Sequence, residues 1–377
     1  MKDPAILIFR SAALGDFILA SPALEQVRLA FPHAKIVLLT TQSASKTQRN
    51  KVAQYAGDAK SLPWVELARP HLIDDVRVLS GLSFGNLLAL RKSLRGYRFE
   101  RAVLMLDPCA PWIGRIKKML LLFALLGLVP QSGWRGRGSL AGDRAALKAA
   151  GLLRHHVHGP LQFLSELPVP QQYEDSKLRF DLRPGPNAHA WATRWFTEHI
   201  PKDAECIAIS PGAIQPHKRW PIEKYAELCQ TLLVRRPQTR LLIIGVRADA
   251  EYGAILRAVD PTRIYDLMGA TSIAQSAALL TRCDMLVGND GGSMHLGDAM
   301  GCPTVSIVPG IEYPDSIEPW HNQALAIRHA VPCAPCYNFT FCPEGHNRCM
   351  LDISVAQVLD RCLSVLERPP MTESLPV

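Results

Sequence analysis

Asp16 closes the loop Arg10-Ser11-Ala12-Ala13-Leu14-Gly15-Asp16, which follows the apolar run Ala5 to Phe9. A carboxylate on a strand-end loop can take a proton from an attacking hydroxyl as a general base. It can equally cap the following helix by accepting its free backbone N–H groups. The residues alone leave both roles open. Gly15, just before it, permits a tight turn and close backbone approach. A second constellation is the loop Ser210-Pro211-Gly212-Ala213-Ile214-Gln215-Pro216-His217-Lys218-Arg219-Trp220-Pro221. Small residues at Ser210 and Gly212, then cations, then a helix start form an anion site. Backbone N–H groups and the helix dipole favour negative charge there, and Lys218 adds a point charge. The alternative for Lys218 and Arg219 is a pair of solvated cations. No G-x-x-x-x-G-K-[S/T] pattern is present, so this is not a Walker loop.

A third segment reads Gly288-Asn289-Asp290-Gly291-Gly292-Ser293-Met294-His295-Leu296. Gly291 and Gly292 at a helix start let a phosphate approach the backbone. Asp290 is either a helix cap or a ligand contact. His295 is either a phosphate donor or a hydrogen-bonded core histidine. Two phosphate-friendly loops in the same half of the chain predict a nucleotide diphosphate. A fourth cluster, Cys333, Cys336, Cys342 and Cys349, has the spacing C-x2-C-x5-C-x6-C with His346 inside it. Thiolates gathered in this way suit structural zinc or iron. Their alternative is to pack as small apolar groups.

These loops need strands to hold them. Ala5–Phe9, Ile36–Thr40, Cys206–Ser210, Leu241–Gly245, Met285–Gly288 and Thr304–Val308 read as buried parallel strands. Helical stretches at Ile18–Ala30, Ala188–His199, Ile222–Val234 and Met294–Met300 alternate with them. The class is therefore α/β, built from βαβ units. Arg183-Pro184-Gly185-Pro186 breaks the pattern. It suggests an N-terminal Rossmann-like domain at 1–185, a C-terminal one at 186–365 and a tail at 366–377. Two such domains with parallel sheets facing an interdomain cleft are the simplest architecture, with ligands at the carboxyl ends of the strands.

Charge separates the two halves. Residues 1–185 hold 26 Lys and Arg against 14 Asp and Glu, whereas residues 186–377 hold 16 against 20. The basic half suits an anionic partner such as a phosphorylated substrate or an acidic membrane surface. No Lys/Arg tract is interleaved with aromatics, so no nucleic-acid partner is expected. The apolar stretch Met119–Val129 is too short to span a bilayer. It reads as a core helix or a shallow membrane contact beside Lys117 and Lys118. Arg135 and Arg137 form a flexible cationic loop that either meets acceptor phosphates or is solvated. The N-terminus lacks a signal-peptide core, which predicts a cytoplasmic protein, peripheral at most on the inner membrane face.

The ordered set of motifs resembles glycosyltransferase family 9, the ADP-heptose:lipopolysaccharide heptosyltransferases. The matching stretches are Leu14-Gly15-Asp16 with Ser21-Pro22-Ala23-Leu24, then Lys218-Arg219-Trp220-Pro221, then Asp290 to His295, then the Cys-Ala-Pro-Cys region from Cys333. The resemblance implies a GT-B fold and inverting transfer of heptose from an ADP-sugar, with no cofactor or metal in catalysis. The implied acceptor is the anionic inner core of lipopolysaccharide on lipid A. It implies that Asp16 is the catalytic base and that Lys218 stabilises the departing ADP. Gly15, Ser210, Gly212, Asp290, Gly291, Gly292, Ser293, Met294 and His295 are implied on the donor side, with Glu251 near the ribose. Distant relatives that glycosylate autotransporter proteins hold iron with four cysteines, which implies a structural metal at the cysteine cluster. Relatives commonly carry Thr at the place of Gly291, and Val308-Pro309-Gly310-Ile311 replaces a Phe-Gly pattern. The alternatives are another nucleotide sugar, a protein hydroxyl as acceptor, or a nucleotide-binding protein without turnover.

Overall fold

The computed structural model describes residues 4–10, 13–41, 63–79, 83–105, 116–117, 120–121, 144–151, 154–162, 164, 167 and 174–367. The chain divides into two compact units, Met1–Arg183 and Pro184–Val377.

The first unit contains β1 (Pro4–Phe9), α1 (Leu14–Ile18), α2 (Ser21–Ala30), β2 (Lys35–Thr41), β3 (Asp75–Leu79), α3 (Phe84–Leu94) and β4 (Arg98–Leu104). The short helices α4 (Arg144–Ala149) and α5 (His158–Gln162) follow. Its sheet is parallel, in the order β3-β2-β1-β4. β1 is central because Ala5 to Phe9 are all apolar and buried on both faces. β3 and β4 lie at the edges, where water reaches one side and charged residues such as Arg77, Arg98 and Glu100 are tolerated. The single helix expected from Ile18 to Ala30 is instead two. Ser21 Oγ donates to the carbonyl of Ile18 at 2.8 Å. Pro22 then restarts the chain in the first turn of α2, where its missing N–H costs nothing.

The second unit runs α6 (Pro186–His199), β5 (Cys206–Ser210), α7 (Ile222–Arg235), β6 (Arg240–Ile243), α8 (Ala250–Arg257), β7 (Ile264–Asp266), α9 (Ile273–Leu280), β8 (Met285–Asn289), α10 (Gly292–Ala299), β9 (Thr304–Ile307), α11 (Arg348–Leu351) and α12 (Val355–Leu366). The parallel order is β7-β6-β5-β8-β9. Tyr225, Leu228 and Leu232 of α7 join Val358 and Cys362 of α12 in one buried cluster against this sheet. Ser272 with Gln275, and Ser354 with Gln357, form reciprocal capping boxes that start α9 and α12. Among the described residues no helix is long and apolar enough to cross a membrane.

In each sheet the strand order reverses beside the first strand. The crevice opened there lies at the carboxyl ends of β1 and β4 in one unit and of β5 and β8 in the other. The loops leaving β1, β5 and β8 carry the candidate residues. In the second unit Ser210 pairs with Gly288 in register. The approach is so close that a Cβ at Gly288 would overlap the Ser210 carbonyl and crowd the Met294 methyl.

Gly288→Ala is expected to destabilise the protein by about 1–3 kcal/mol, because the overlap is with backbone. Gly291 provides the contrast: its backbone is extended (φ 170°, ψ −174°), and a Cβ there would meet only the Asn289 carbonyl at 3.8 Å. Gly291→Ser should be neutral or stabilise by roughly 0.5–1 kcal/mol through a less flexible unfolded chain and a new cap. Chemical denaturation of the two variants checks both, and equal effects would refute the packing argument.

Candidate functional site

The loop between β5 and α7 is fixed at both feet by one side chain. Asn289, the last residue of β8, is fully buried. Its Nδ2 donates to the Pro211 carbonyl at 2.6 Å, and its Oδ1 accepts from the Trp220 backbone N–H at 2.9 Å and the Tyr225 hydroxyl at 3.0 Å. Trp220 is itself buried, its Nε1 donating to the Ile353 carbonyl at 3.0 Å. Sequence reasoning placed Asn289 inside a motif but gave it no role. The available signal was a polar residue ending a run of apolar strand residues, with Trp220 and Tyr225 both needing partners.

This frame brings Lys218, at the end of the 3₁₀ turn Pro216–Lys218, to the residue after Asn289. Lys218 Nζ donates to Asp290 Oδ2 at 2.8 Å, and both side chains are largely buried. Burial alone would push the Asp290 carboxyl up. The charge and hydrogen bond of Lys218, with His295 and Arg328 behind them, outweigh it and hold Asp290 below the usual carboxylate range. Lys218 is therefore not a solvated cation. Ser210 Oγ and Ser293 Oγ lie 2.8 Å apart, joining the end of β5 to the first turn of α10. Gly291 and Gly292 form that helix start, Gly291 as the residue before the first turn. His295 is buried in the same helix.

Arg219 also departs from the solvated-cation alternative. Its Nε donates to the Ala213 carbonyl at 2.8 Å, its Nη1 to the Tyr252 hydroxyl at 2.8 Å and its Nη2 to Asp249 Oδ1 at 3.0 Å. Its guanidinium also lies over the Tyr252 ring, 5.4 Å from the centroid. Gly212 is a glycine because a Cβ there would come within 2.5 Å of Asp249 Oδ2. Thus the buried acid after β6 is Asp249, which sequence reasoning missed, while Glu251 is exposed in the first turn of α8. Met294 is wholly buried, with its methyl against Gly288, so its side chain supports the loop from beneath. His217 donates from Nε2 to the Asn338 carbonyl at 3.3 Å, and burial with Lys218 nearby lowers its basicity despite that bond.

In the first unit Asp16 is not a cap. α1 begins at Leu14 behind Ala13, which makes no side-chain cap bond, and Asp16 is the third residue of the helix. Gly15 is helical as well, in place of the expected tight turn, and its carbonyl accepts from Leu19 N at 2.9 Å. The Asp16 side chain is exposed. Its own carbonyl is gripped by Arg10, whose Nε and Nη2 donate to it at 3.2 and 2.7 Å while Nη1 donates to the Met105 carbonyl at 3.2 Å. Arg10 thereby ties the loop after β1 to the end of β4.

The cysteine cluster does not assemble the expected metal site. Among the described residues no three His, Cys, Asp or Glu side chains are gathered to hold an ion. Burial, and the charges of Cys342, Cys336 and Cys333, raise the Cys349 thiol, opposed by a backbone hydrogen bond at Gly310. Cys333 Sγ instead faces His346 Nε2 at 3.8 Å, and Cys342 Sγ accepts from Asn347 N at 3.4 Å. Cys333 and Cys342 thus have separate hydrogen-bond partners, while the four thiols stay near enough for the other three to act on Cys349. Apart from Leu120 and Leu121, the Met119–Val129 stretch lies outside the described residues, as do Arg135 and Arg137.

The Lys218–Asp290 pair predicts a reversal with pH. With Lys218 in place the lowered Asp290 pKa stabilises the fold above the ordinary carboxylate pKa of about 3.9, and that stabilisation fades as pH falls through the lower folded value. In Lys218→Ala, burial is unopposed by the ammonium and the Asp290 pKa should rise. The variant should be about 2–4 kcal/mol less stable at neutral pH, with the deficit narrowing on acidification as Asp290 takes up a proton. Denaturation across pH, with carboxyl NMR shifts of Asp290, reads this out. A pH-independent deficit would count against it.

Comparison with known proteins follows the same lines. The family model for glycosyltransferase family 9 (heptosyltransferase) matches residues 87–345. Lipopolysaccharide heptosyltransferase 2 of Escherichia coli K12 is 26% identical over 355 residues, covering 87% of this chain and 95% of that protein. Lipooligosaccharide heptosyltransferase 2 of Haemophilus influenzae is 24% identical over 332 residues, covering 86% and 88%. Among solved structures, the E. coli ADP-heptose LPS heptosyltransferase II has a TM-score of 0.64 at 21% identity, covering 96% and 98%. A family 9 glycosyltransferase of Veillonella parvula has a TM-score of 0.65 at 19% identity, covering 97% of each chain. These structural likenesses bear on the fold, which is the GT-B class with its two parallel α/β sheets. With the family model spanning more than half its length, the chain belongs to glycosyltransferase family 9, the heptosyltransferases.

Proposed function

We propose that this protein transfers heptose from ADP-heptose to the anionic inner core of lipopolysaccharide, with inversion at the sugar carbon. The carrying observation is the Lys218–Asp290 ion pair at the start of α10, where an ammonium, a helix N-terminus and the Gly291-Gly292 backbone converge. That convergence suits a diphosphate. Relatives named as lipopolysaccharide heptosyltransferases support the sugar and the acceptor.

In this reading the acceptor hydroxyl oxygen attacks the anomeric carbon of the heptose as the bond from that carbon to the diphosphate oxygen breaks. Asp16 receives the hydroxyl proton. Its exposure at the carboxyl end of β1 leaves it open to a substrate, and Arg10 fixes the carbonyl of the same residue. ADP leaves as an anion, and Lys218 meets the charge that develops on it, an interaction stronger in the transition state than in the ground state. Ser210, Gly212, Gly291, Gly292, Ser293 and His295 line the donor side, with Met294 acting from beneath and Glu251 toward the ribose. No metal enters this scheme, so a chelator should leave the rate unchanged. The acceptor is lipid-borne, which brings the enzyme to the inner face of the cytoplasmic membrane.

Calorimetric titration with ADP, UDP and GDP separates the donor readings. Selective ADP binding, weakened at least about tenfold in Lys218→Ala, is expected. Preference for UDP or GDP would overturn the heptose donor while keeping the fold. Asp16→Asn should bind ADP normally yet lose about 10²–10⁴-fold in turnover, the usual contribution of a general base. Wild-type turnover in that variant would remove Asp16 from the chemistry.

A further inference from the structure

Helix α3 (Phe84–Leu94) buries only one face. Leu90 and Leu94 are buried and Leu87 packs with them against the sheet core formed by Leu7, Val37 and Leu104. The spacing of Phe84, Leu88, Arg91 and Arg95 puts them on one stripe of the helix and its C-terminal edge, turned away from that core. Phe84 is 82% exposed and Leu88 53%. Arg91, Lys92 and Arg95 are exposed too, and the sequence from Ser83 to Tyr97 contains no Asp or Glu. Leu121 packs on the same core cluster as Leu87, so it lies on the same side of the sheet, with exposed Leu120 (61%) next to it in the chain.

Large apolar side chains left in water beside cations, with no carboxylate among them, match one kind of occupant. A lipid surface takes Phe and Leu into its acyl boundary and pairs arginine and lysine with anionic headgroups. An acidic protein or nucleic acid would use the cations but leave Phe84 and Leu88 unrewarded. A second copy of the same basic patch would be repelled. We infer that α3, with Leu120 on the same side of the sheet, is the surface by which this protein docks on an anionic phospholipid bilayer. The inference deepens the membrane reading given above by naming the element that makes contact, in place of the Met119–Val129 stretch alone.

The test uses the full chain and phosphatidylcholine vesicles with and without phosphatidylglycerol, in the absence of sugar donor and acceptor. Its failure therefore leaves the transfer reaction untouched. Flotation should show binding that requires phosphatidylglycerol and weakens with added salt. Arg91→Glu with Lys92→Glu should weaken it more than about twentyfold, since each cation near such a surface is worth about fivefold. Phe84→Ser with Leu88→Ser should weaken it about tenfold or more, through the loss of apolar burial. Both pairs are surface changes, and an unchanged melting temperature and ADP affinity would show that the variants are folded. Absence of wild-type flotation, or equal flotation of all variants, would overturn the inference. So would self-association of the wild type that Phe84→Ser with Leu88→Ser abolishes without any vesicle binding, which would assign the face to a second copy.

Discussion

The amide of Asn289 is the interaction on which the geometry of the β5–α7 loop rests. It is buried at the end of a central strand and makes three hydrogen bonds, two of them to backbone groups at opposite ends of a single loop. A buried amide that lost those partners would carry a desolvation cost of about 1–3 kcal/mol for each unsatisfied group. The loop from Pro211 to Trp220 therefore has one low-energy path, and Lys218 lies on it. Because the next residue in the chain is Asp290, the residue that shapes the loop and the residue that pairs with its lysine arrive together. A replacement at 289 would disturb the charge pair without touching either charge.

Two further devices stiffen the same region. Arg219 spends its whole fork on Ala213, Tyr252 and Asp249, crossing from the β5 loop to the start of α8. Gly288 and Gly212 remove the Cβ atoms that would hold neighbouring segments apart. The site is built by bringing backbone very close to backbone, with Asn289 and Arg219 satisfying carbonyl and amide groups along that approach. Adjacent cations in the sequence consequently have different tasks. Lys218 faces the Asp290 carboxylate at the start of α10, and Arg219 holds the scaffold.

The fold was legible wherever a strand is buried on both faces. β1, β2, β5, β6 and β8 are built on apolar runs, and β9 is buried along its whole length although it lies at an edge; all six were read directly. β3, β4 and β7 were not, and all three are edge strands whose solvent side admits Arg77, Arg98, Glu100 or Asp266 and so hides the pattern. The loops after β1, β5 and β8 could be located because βαβ chirality and strand order put them at one end of each sheet. What each side chain does inside those loops was less accessible. The Arg219–Asp249 and Asn289–Pro211 contacts join residues 30 and 78 positions apart, and no local spacing announces them. Met294 reads as part of a ligand loop because it follows two glycines at a helix start. The helical turn directs it inward, against Gly288. The cysteines show the converse: four ligand-type residues in a short span, two of which hydrogen-bond to separate partners, His346 and the Asn347 amide.

The double anchoring of the β5–α7 loop also has a thermodynamic consequence. Ordering a surface loop costs roughly 1–2 kcal/mol per residue in backbone entropy, and here that cost is met when the protein folds, well before any ligand arrives. The Trp220 amide, although it belongs to a loop, should exchange its hydrogen as slowly as the sheet core, and nucleotide binding should slow it little further. A phosphate bound as proposed above would therefore meet a surface already fixed by folding.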